Sequence, residues 1–213
     1  MKRFLCACLA LVISSAANLC SAAVFERDWK TPGDGLLTFD DVNQRVWLDL
    51  SESRLDQFPG STTEQQYQNA ILELQAGGHF EGFTVAKIAD VMGLAQSAGI
   101  DTTTLYYATN LSPTSNLIDL LSLTSSLPNG HVWSLGLLDE FPTNPPIPIR
   151  LAAQFDLDPH ATMAFGQAGL RFGGFDPISY RGAGVLLYRN VPEPTSAALM
   201  LIGAFHLMSS FRS

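Results

Sequence analysis

Cysteine is missing from almost the whole chain. Cys6, Cys8 and Cys20 are its three cysteines, and all of them lie within the first 20 residues. The rest of the chain can therefore form neither a disulfide bond nor a thiolate metal site. Its stability has to come from packing of the hydrophobic core.

Basic residues are scarce as well. The 213 residues include 12 Lys and Arg against 20 Asp and Glu, a formal net charge of −8. Lys2, Arg3 and Arg212 stand near the two ends, so the part between them has nine basic residues and a net charge of −11. Such a surface repels nucleic-acid phosphates and anionic lipid headgroups. We expect no nucleic-acid partner, whereas divalent cations and polysaccharides are compatible with this charge.

Catalytic sequence motifs are also missing. The chain has no Gly-x-Ser-x-Gly elbow, no His-Glu-x-x-His helix and no phosphate-binding Gly-rich loop. His79, His131 and His160 do not have the spacing of metal ligands. We therefore expect no enzyme activity, no metal and no cofactor.

The amino-terminal segment has the three parts of a secretory signal peptide. Lys2 and Arg3 form its basic part, and residues 4–13 are apolar. Ser-Ala-Ala, ending at Ala23, fits the small-x-small rule for cleavage. We predict that residues 1–23 are a signal peptide cut after Ala23. Lipidation at Cys20 is the alternative, although a leucine rather than a small residue precedes it.

The carboxy-terminal segment combines two prolines, an apolar stretch and a basic residue. Pro192 and Pro194 flank Glu193 and hold the backbone extended. Residues 195–211 would be about 26 Å long as a helix, close to the ~30 Å hydrocarbon layer of a bilayer. Arg212 follows, on the side expected to be cytoplasmic. We predict a C-terminal hydrophobic helix in the inner membrane.

This arrangement resembles the PEP-CTERM sorting signal of Gram-negative, exopolysaccharide-producing bacteria. The resemblance covers residues 191–212, with a basic cluster reduced to Arg212 and an apolar stretch interrupted by His206. It implies recognition by an exosortase, a membrane-embedded transpeptidase-like enzyme. Processing near Pro192, Glu193 and Pro194 would precede release or transfer to the cell surface or extracellular matrix. A permanent single-span anchor and a buried core helix are the alternatives.

Residues 24–190 are predicted to form one globular domain of class α+β. Its first part is a β-hairpin with Asn43 at the left-handed turn position, followed by two or three amphipathic helices. Ser61 is the expected cap of the first helix, and Ser112 with Pro113 the expected start of the third. An antiparallel sheet follows, with strands over residues 131–138, 150–156, 162–172 and 182–188.

Two segments of this domain carry a second, weaker resemblance. Residues 39–49, which end in Trp-Leu-Asp, are similar to the opening of many exported PEP-CTERM proteins, and residues 77–86 are similar to their next element. Similar elements occur in DUF1566-type domains, which are related to C-type-lectin-like folds. There Trp-Arg-x-Pro-Thr precedes the helix; here Phe83 replaces the Trp, and the Arg and Pro are absent. The resemblance implies a lectin-like core without enzymatic activity.

Three residues are candidates for contact with a glycan or a cation. Asp156 and Asp158 are two residues apart, so they would share one face of a strand. Such a pair could bind Ca²⁺ or act in glycoside hydrolysis, and a solvated strand end before Pro159 is the structural alternative. Trp29, beside charged Asp28 and Lys30, is the best candidate for an exposed platform that stacks on a sugar ring.

These patterns favour a non-catalytic envelope or biofilm-matrix protein. It would be sorted by an exosortase and associated with exopolysaccharide. The alternative is a secreted polysaccharide hydrolase, with Asp156 and Asp158 as its carboxylates.

We predict that the mature protein begins at Val24 and lacks the residues beyond Pro194, because both end segments carry processing signals. Mass spectrometry of the termini of the exported protein measures this directly. A mature chain that starts at a lipidated Cys20 would contradict the first prediction, and a retained Arg212 would contradict the second.

Overall fold

The computed structural model describes residues 24–105, 107–141, 150–160, 167–174 and 182–191. Several predicted features lie outside these residues: the cleavage site at Ala23, the sorting residues Pro192, Glu193, Pro194 and Arg212, and the C-terminal hydrophobic helix. Among the described helices, none combines the length and the apolar character needed to cross a membrane.

The predicted α+β class is confirmed, with two sheets in place of one. In the first sheet, sheet A, the strand order is β1-β2-β3-β10-β4 and every pair is antiparallel. Sheet B has the order β5-β6-β7-β8, also antiparallel, and β9 joins β6 in a short parallel pairing. The strands are β1 (Val24–Arg27), β2 (Leu37–Asp40), β3 (Arg45–Leu48), β4 (Thr84–Val85), β5 (Ser125–Ser126), β6 (Val132–Leu137), β7 (Leu151–Asp158), β8 (Gln167–Gly174), β9 (Gly184–Val185) and β10 (Leu187–Asn190).

In the described part of the chain, three α-helices follow the β2–β3 hairpin in sequence and precede the strands of sheet B. The expected helices are present, and a short 3-10 turn precedes the first. The helices are α1 (Thr63–Leu72), α2 (Ile88–Ser97) and α3 (Tyr107–Leu121), and the 3-10 turn is Leu55–Gln57.

The turn of the β2–β3 hairpin differs from the prediction. Gln44, with φ of 50°, occupies the left-handed position that was expected for Asn43. The backbone N–H and the side-chain amide of Asn43 both donate to the carboxylate of Asp40, at 3.1 and 2.7 Å. Because these bonds hold Asn43 inside the turn, the backbone reverses one residue later.

The cap of α1 is also one residue later than predicted. Thr62 is the N-cap, and its hydroxyl accepts a hydrogen bond from the backbone N–H of Gln65 at 3.2 Å. The side chain of Gln65 in turn accepts from the backbone N–H of Ser61 at 2.9 Å. The capping interaction therefore uses Thr62 and Gln65 in place of Ser61 and Glu64.

Helix α3 begins before the predicted start and contains Pro113 within it. Asn110, in its first turn, is fully buried. Its side-chain amide donates to the carbonyls of Asp101 and Thr104 at 3.0 Å, and its carbonyl accepts from the N–H of Asp101 at 2.8 Å. These bonds join the first turn of α3 to the 101–104 loop, and they offset part of the cost of an interior proline.

The core has two parts, one on each side of sheet A. Leu37, Phe39 and Leu48 face a cluster that includes α1 and part of sheet B. Trp47 points the other way, into a cluster formed by α2, α3 and the other face of sheet B. β2 and β3 are therefore buried on both faces, which explains why all four residues of β2 are buried and not every second one.

Four strands of sheet A meet at one end of the sheet. Val24 pairs with Asp40, Asp40 with Arg45, and Arg45 with Asn190. β1 starts in this row and β10 ends in it. The N–H of Val191 then donates to the carbonyl of Gln44 at 2.8 Å. We call this the tether end of sheet A: Val24, the turn 41–44 and residues 190–191.

We predict that Gly136→Ala destabilises the domain by about 1–3 kcal/mol, the usual cost of overpacking a core. A Cβ at Gly136 would lie 2.4 Å from Cγ of buried Leu186. Gly173→Ala, in the same sheet, is the matched control, because a Cβ there meets nothing within 4 Å. Urea unfolding followed by tryptophan fluorescence compares the two, and equal stability of both variants would contradict the packing described here.

Candidate functional site

The most concentrated group of charged side chains lies on one face of sheet B. The carboxylate of Asp156 on β7 is 97% buried, and its side chain lies between His131 and Arg171. His131 Nε2 is 2.5 Å from Asp156 Oδ1, and Arg171 Nε is 3.1 Å from Oδ2. Both carboxylate oxygens of Asp156 are therefore engaged by nitrogen atoms of neighbouring strands or loops.

Strand register brings these residues together. Asp156 pairs with Trp133 on β6 and with Gly169 on β8. Arg171 is two residues beyond Gly169, so it shares the face of Asp156. His131 directly precedes β6 and likewise lies two residues from Trp133, and its ring packs against the Trp133 ring at 4.6 Å between centroids.

Asp158 completes this group, which we call the charged cluster: His131, Asp156, Asp158 and Arg171. Its Oδ2 lies 3.8 Å from His131 Nδ1, so the imidazole is placed between two carboxylates. Its Oδ1 accepts the backbone N–H of His160 at 2.9 Å, which closes the turn after β7. The predicted pair Asp156 and Asp158 is thus brought together on one face, as expected, with His131 between them.

The chemistry open to this cluster is limited, because both oxygens of the Asp156 carboxylate already face nitrogen atoms of other side chains. A glycosidase needs one carboxyl group as acid and a second as base or nucleophile. Asp156 is buried against His131 and Arg171, although the Nε–H of Arg171 is not directed for a hydrogen bond. This is the geometry of an internal ion network. No set of three or more His, Cys, Asp or Glu side chains in the described ranges could hold a metal ion.

Trp29 lies in the loop between β1 and β2, among a different set of contacts. It is half-buried, and its ring packs against Phe80 and Phe83. Lys30 Nζ lies 3.7 Å from the centre of the Trp29 ring and covers it. Among the described residues, no contact joins Trp29 to the charged cluster, so the three predicted residues do not form one site.

Asp34 holds the backbone of this loop. The N–H groups of Trp29, Lys30 and Thr31 donate to its carboxylate at 2.8–2.9 Å. Hydrogen bonds from the backbone N–H groups of Trp29 and then Thr31 hold the pKa of Asp34 well below its usual range. The position of Trp29 is therefore fixed by loop structure.

A second charged contact connects α1 to the start of β7. Arg150 Nε and Nη2 each donate to the carboxylate of Glu64 at 3.1 Å. The guanidinium lies 3.8 Å from the centre of the Tyr67 ring and 4.6 Å from that of Phe141. Burial raises the pKa of Tyr67 to about 12. Sequence reasoning missed this contact, since Glu64 and Arg150 are 86 residues apart.

His131 and Arg171 were missed as members of a site for the same reason. His131 had been considered only as a metal ligand, and Arg171 carried no motif. Their proximity to Asp156 depends on the pairing of β6, β7 and β8, which no local pattern specifies. An Arg and an Asp at diagonal positions on neighbouring strands would have been the one available signal, had the register been known.

Comparison of the chain with protein-family models, with curated proteins and with solved structures gave no match. Its function is therefore argued from its own residues.

We predict that Asp156→Asn lowers the free energy of unfolding by about 1–3 kcal/mol, because His131 and Arg171 lose a buried charged partner. Asp158→Asn is the matched control. Its side chain is 20% exposed and 3.8 Å from His131, so we expect a loss of less than about 1 kcal/mol. Urea unfolding at neutral pH measures both, and an equal loss in the two variants would show that Asp156 has no special role.

Proposed function

We propose that this chain is an exported, non-catalytic protein of the cell surface or extracellular matrix of a Gram-negative bacterium. A signal peptide ending at Ala23 would direct its export through the inner membrane. An exosortase would then recognise Pro192, Glu193 and Pro194, together with the apolar residues 195–211 and Arg212. Until it is processed, the protein would be held in the inner membrane by that apolar segment.

The observation that carries this proposal is that the described strands of sheet A all lie between the two predicted targeting segments. β1 begins at Val24, directly after the predicted cleavage site. At the other end, Val191 is hydrogen-bonded to Gln44 and directly precedes Pro192. Removal of both predicted targeting segments would therefore leave every described strand intact. A sorting signal that is cut or transferred has to be dispensable for the fold in this way.

The first and last residues of the described strands of sheet A lie at the same end of the sheet, and this supports the same proposal. Val24 and Asn190 lie in one row across sheet A, separated by two intervening strands. At ~4.8 Å between strands, they are about 14 Å apart. The two predicted targeting segments would therefore join the domain at the same end of sheet A.

The charged cluster supports the non-catalytic part of the proposal. A polysaccharide hydrolase that uses Asp156 and Asp158 would need carboxylates free to exchange protons or attack a sugar. Asp156 is instead 97% buried, with one oxygen facing His131 and the other facing Arg171. The hydrolase alternative is therefore the weaker one.

A second candidate function is binding of exopolysaccharide at the exposed edge of the same cluster. The side chains of Arg171 and Asp158 are 39% and 20% exposed, while Asp156 beneath them is buried. A fixed donor and a fixed acceptor on a rigid sheet are the groups that hydrogen-bond sugar hydroxyls. This binding would be compatible with the net negative charge, because it needs no anionic ligand.

We predict that replacing Pro192, Glu193 and Pro194 with alanine makes the unprocessed protein accumulate in the inner membrane. The apolar segment would still enter the bilayer, but the motif for processing would be lost. Western blotting of membrane and extracellular fractions from a host with an exosortase measures this outcome.

The control for this experiment changes the same tail outside the motif. Ser213→Ala, beyond residues 192–212, should leave processing unchanged. If the alanine-substituted motif is processed and released like the unchanged protein, the proposed sorting role of residues 192–194 is wrong.

A further inference from the structure

The tether end of sheet A is the only described point where both predicted membrane-directed segments attach. Val24 follows the signal peptide and Val191 precedes the sorting tail, and the row Val24, Asp40, Arg45 and Asn190 joins them. The opposite end of these strands, at the row Arg27, Leu37 and Leu48, carries the loop from β1 to β2. The two ends are separated by three residue steps, about 10 Å at ~3.3 Å per residue, plus the turns beyond them.

The connection from the folded domain to the tail is very short. Val191 is half-buried, packs on the core and is bonded to Gln44. Four residue steps separate it from Thr195, the first residue of the predicted membrane segment 195–211. Even a fully extended chain covers about 14 Å in four steps.

This length is small in comparison with the domain. A compact domain of this size has a radius of gyration of about 15 Å and is about 40 Å across. To turn its far end toward a bilayer, the domain would need a connection that reaches around its own body. A connection of about 14 Å is too short for this.

We infer that the tether end of sheet A faces the phospholipid surface of the inner membrane for as long as residues 195–211 are in the bilayer. The inference rests on the proposed function, which puts that segment in the membrane. Val42 marks this end: it lies in the turn 41–44, and 54% of its surface is exposed.

The short connection between Val191 and Thr195 sets this orientation, and surface charge does not. The one basic residue at the start of β3, Arg45, is paired with Asp90 at 2.9 Å. The turn itself contributes Asp41 and no basic residue, and the domain as a whole is acidic. Attraction to anionic headgroups would need a basic surface. While the tail is in the inner membrane, the far end of the sheet consequently points away from the bilayer, toward the periplasm.

Single cysteines test the inference cleanly, because the chain after residue 23 has none. Val42→Cys marks the tether end. Thr31→Cys, in the exposed loop between β1 and β2, marks the far end. The chain from Val24 to Ser213, with its tail retained, would be purified from a host without an exosortase. It would be labelled with a fluorophore and placed in phosphatidylcholine vesicles that carry a headgroup nitroxide quencher.

We predict that the label at position 42 is quenched several-fold more strongly than the label at position 31. An insertion of about 20 Gly and Ser residues between Val191 and Pro192 should remove the difference, since such a linker spans about 25 Å and lets the domain rotate. Equal quenching without the insertion, or stronger quenching at position 31, would overturn the inference. A difference that survives the insertion would also overturn it, because the tether would then not set the orientation.

Flotation of the vesicles tests the proposed function separately from the inferred orientation. If the labelled chain does not float with the vesicles, the tail does not enter a bilayer and the proposed sorting function fails. If it floats and the two labels are quenched equally, the tail is inserted and only the inferred orientation is wrong.

Discussion

The pairing of β10 with β3 is the contact on which the arrangement of this protein depends. β10 is the last described strand, yet it lies inside sheet A, between β3 and β4. Through this pairing the chain returns to the hairpin with which the domain opens, and Leu187 and Val185 join the core that the hairpin begins. Without this pairing, sheet A would lose its link to β4. Val24 and Val191 would then no longer lie at the same end of the sheet.

Specific partners satisfy the most deeply buried carboxylates of this acidic chain, one in each sheet. Asp40 and Asp156 are both buried, and each is satisfied by specific partners: the side chain and backbone of Asn43 for Asp40, and His131 with Arg171 for Asp156. A buried carboxylate without such partners would be costly. These two carboxylates therefore help to specify one fold. The other acidic residues give the surface its negative charge.

The sequence predicted the kinds of elements well and their exact limits less well. Local patterns were enough for the hairpin, for α2 and for the change from helices to strands after His131. The errors come from specific side-chain hydrogen bonds that residue preferences do not reveal. α3 starts early because Asn110 binds the 101–104 loop, and the turn position moves from Asn43 to Gln44 because Asp40 holds Asn43.

The sequence by itself determined the class of the domain, its lack of cysteine chemistry and the two end segments that point to export and sorting. These features follow from composition and from short-range order, which a chain carries whether or not it is folded. Only the tertiary structure decided that Asp156 is enclosed by His131 and Arg171, that Trp29 lies apart from it, and that Val24 and Val191 share one end of a sheet. Those facts depend on strand register and on long-range pairing. Both are fixed by the packing of the whole domain, and no local stretch of sequence specifies them.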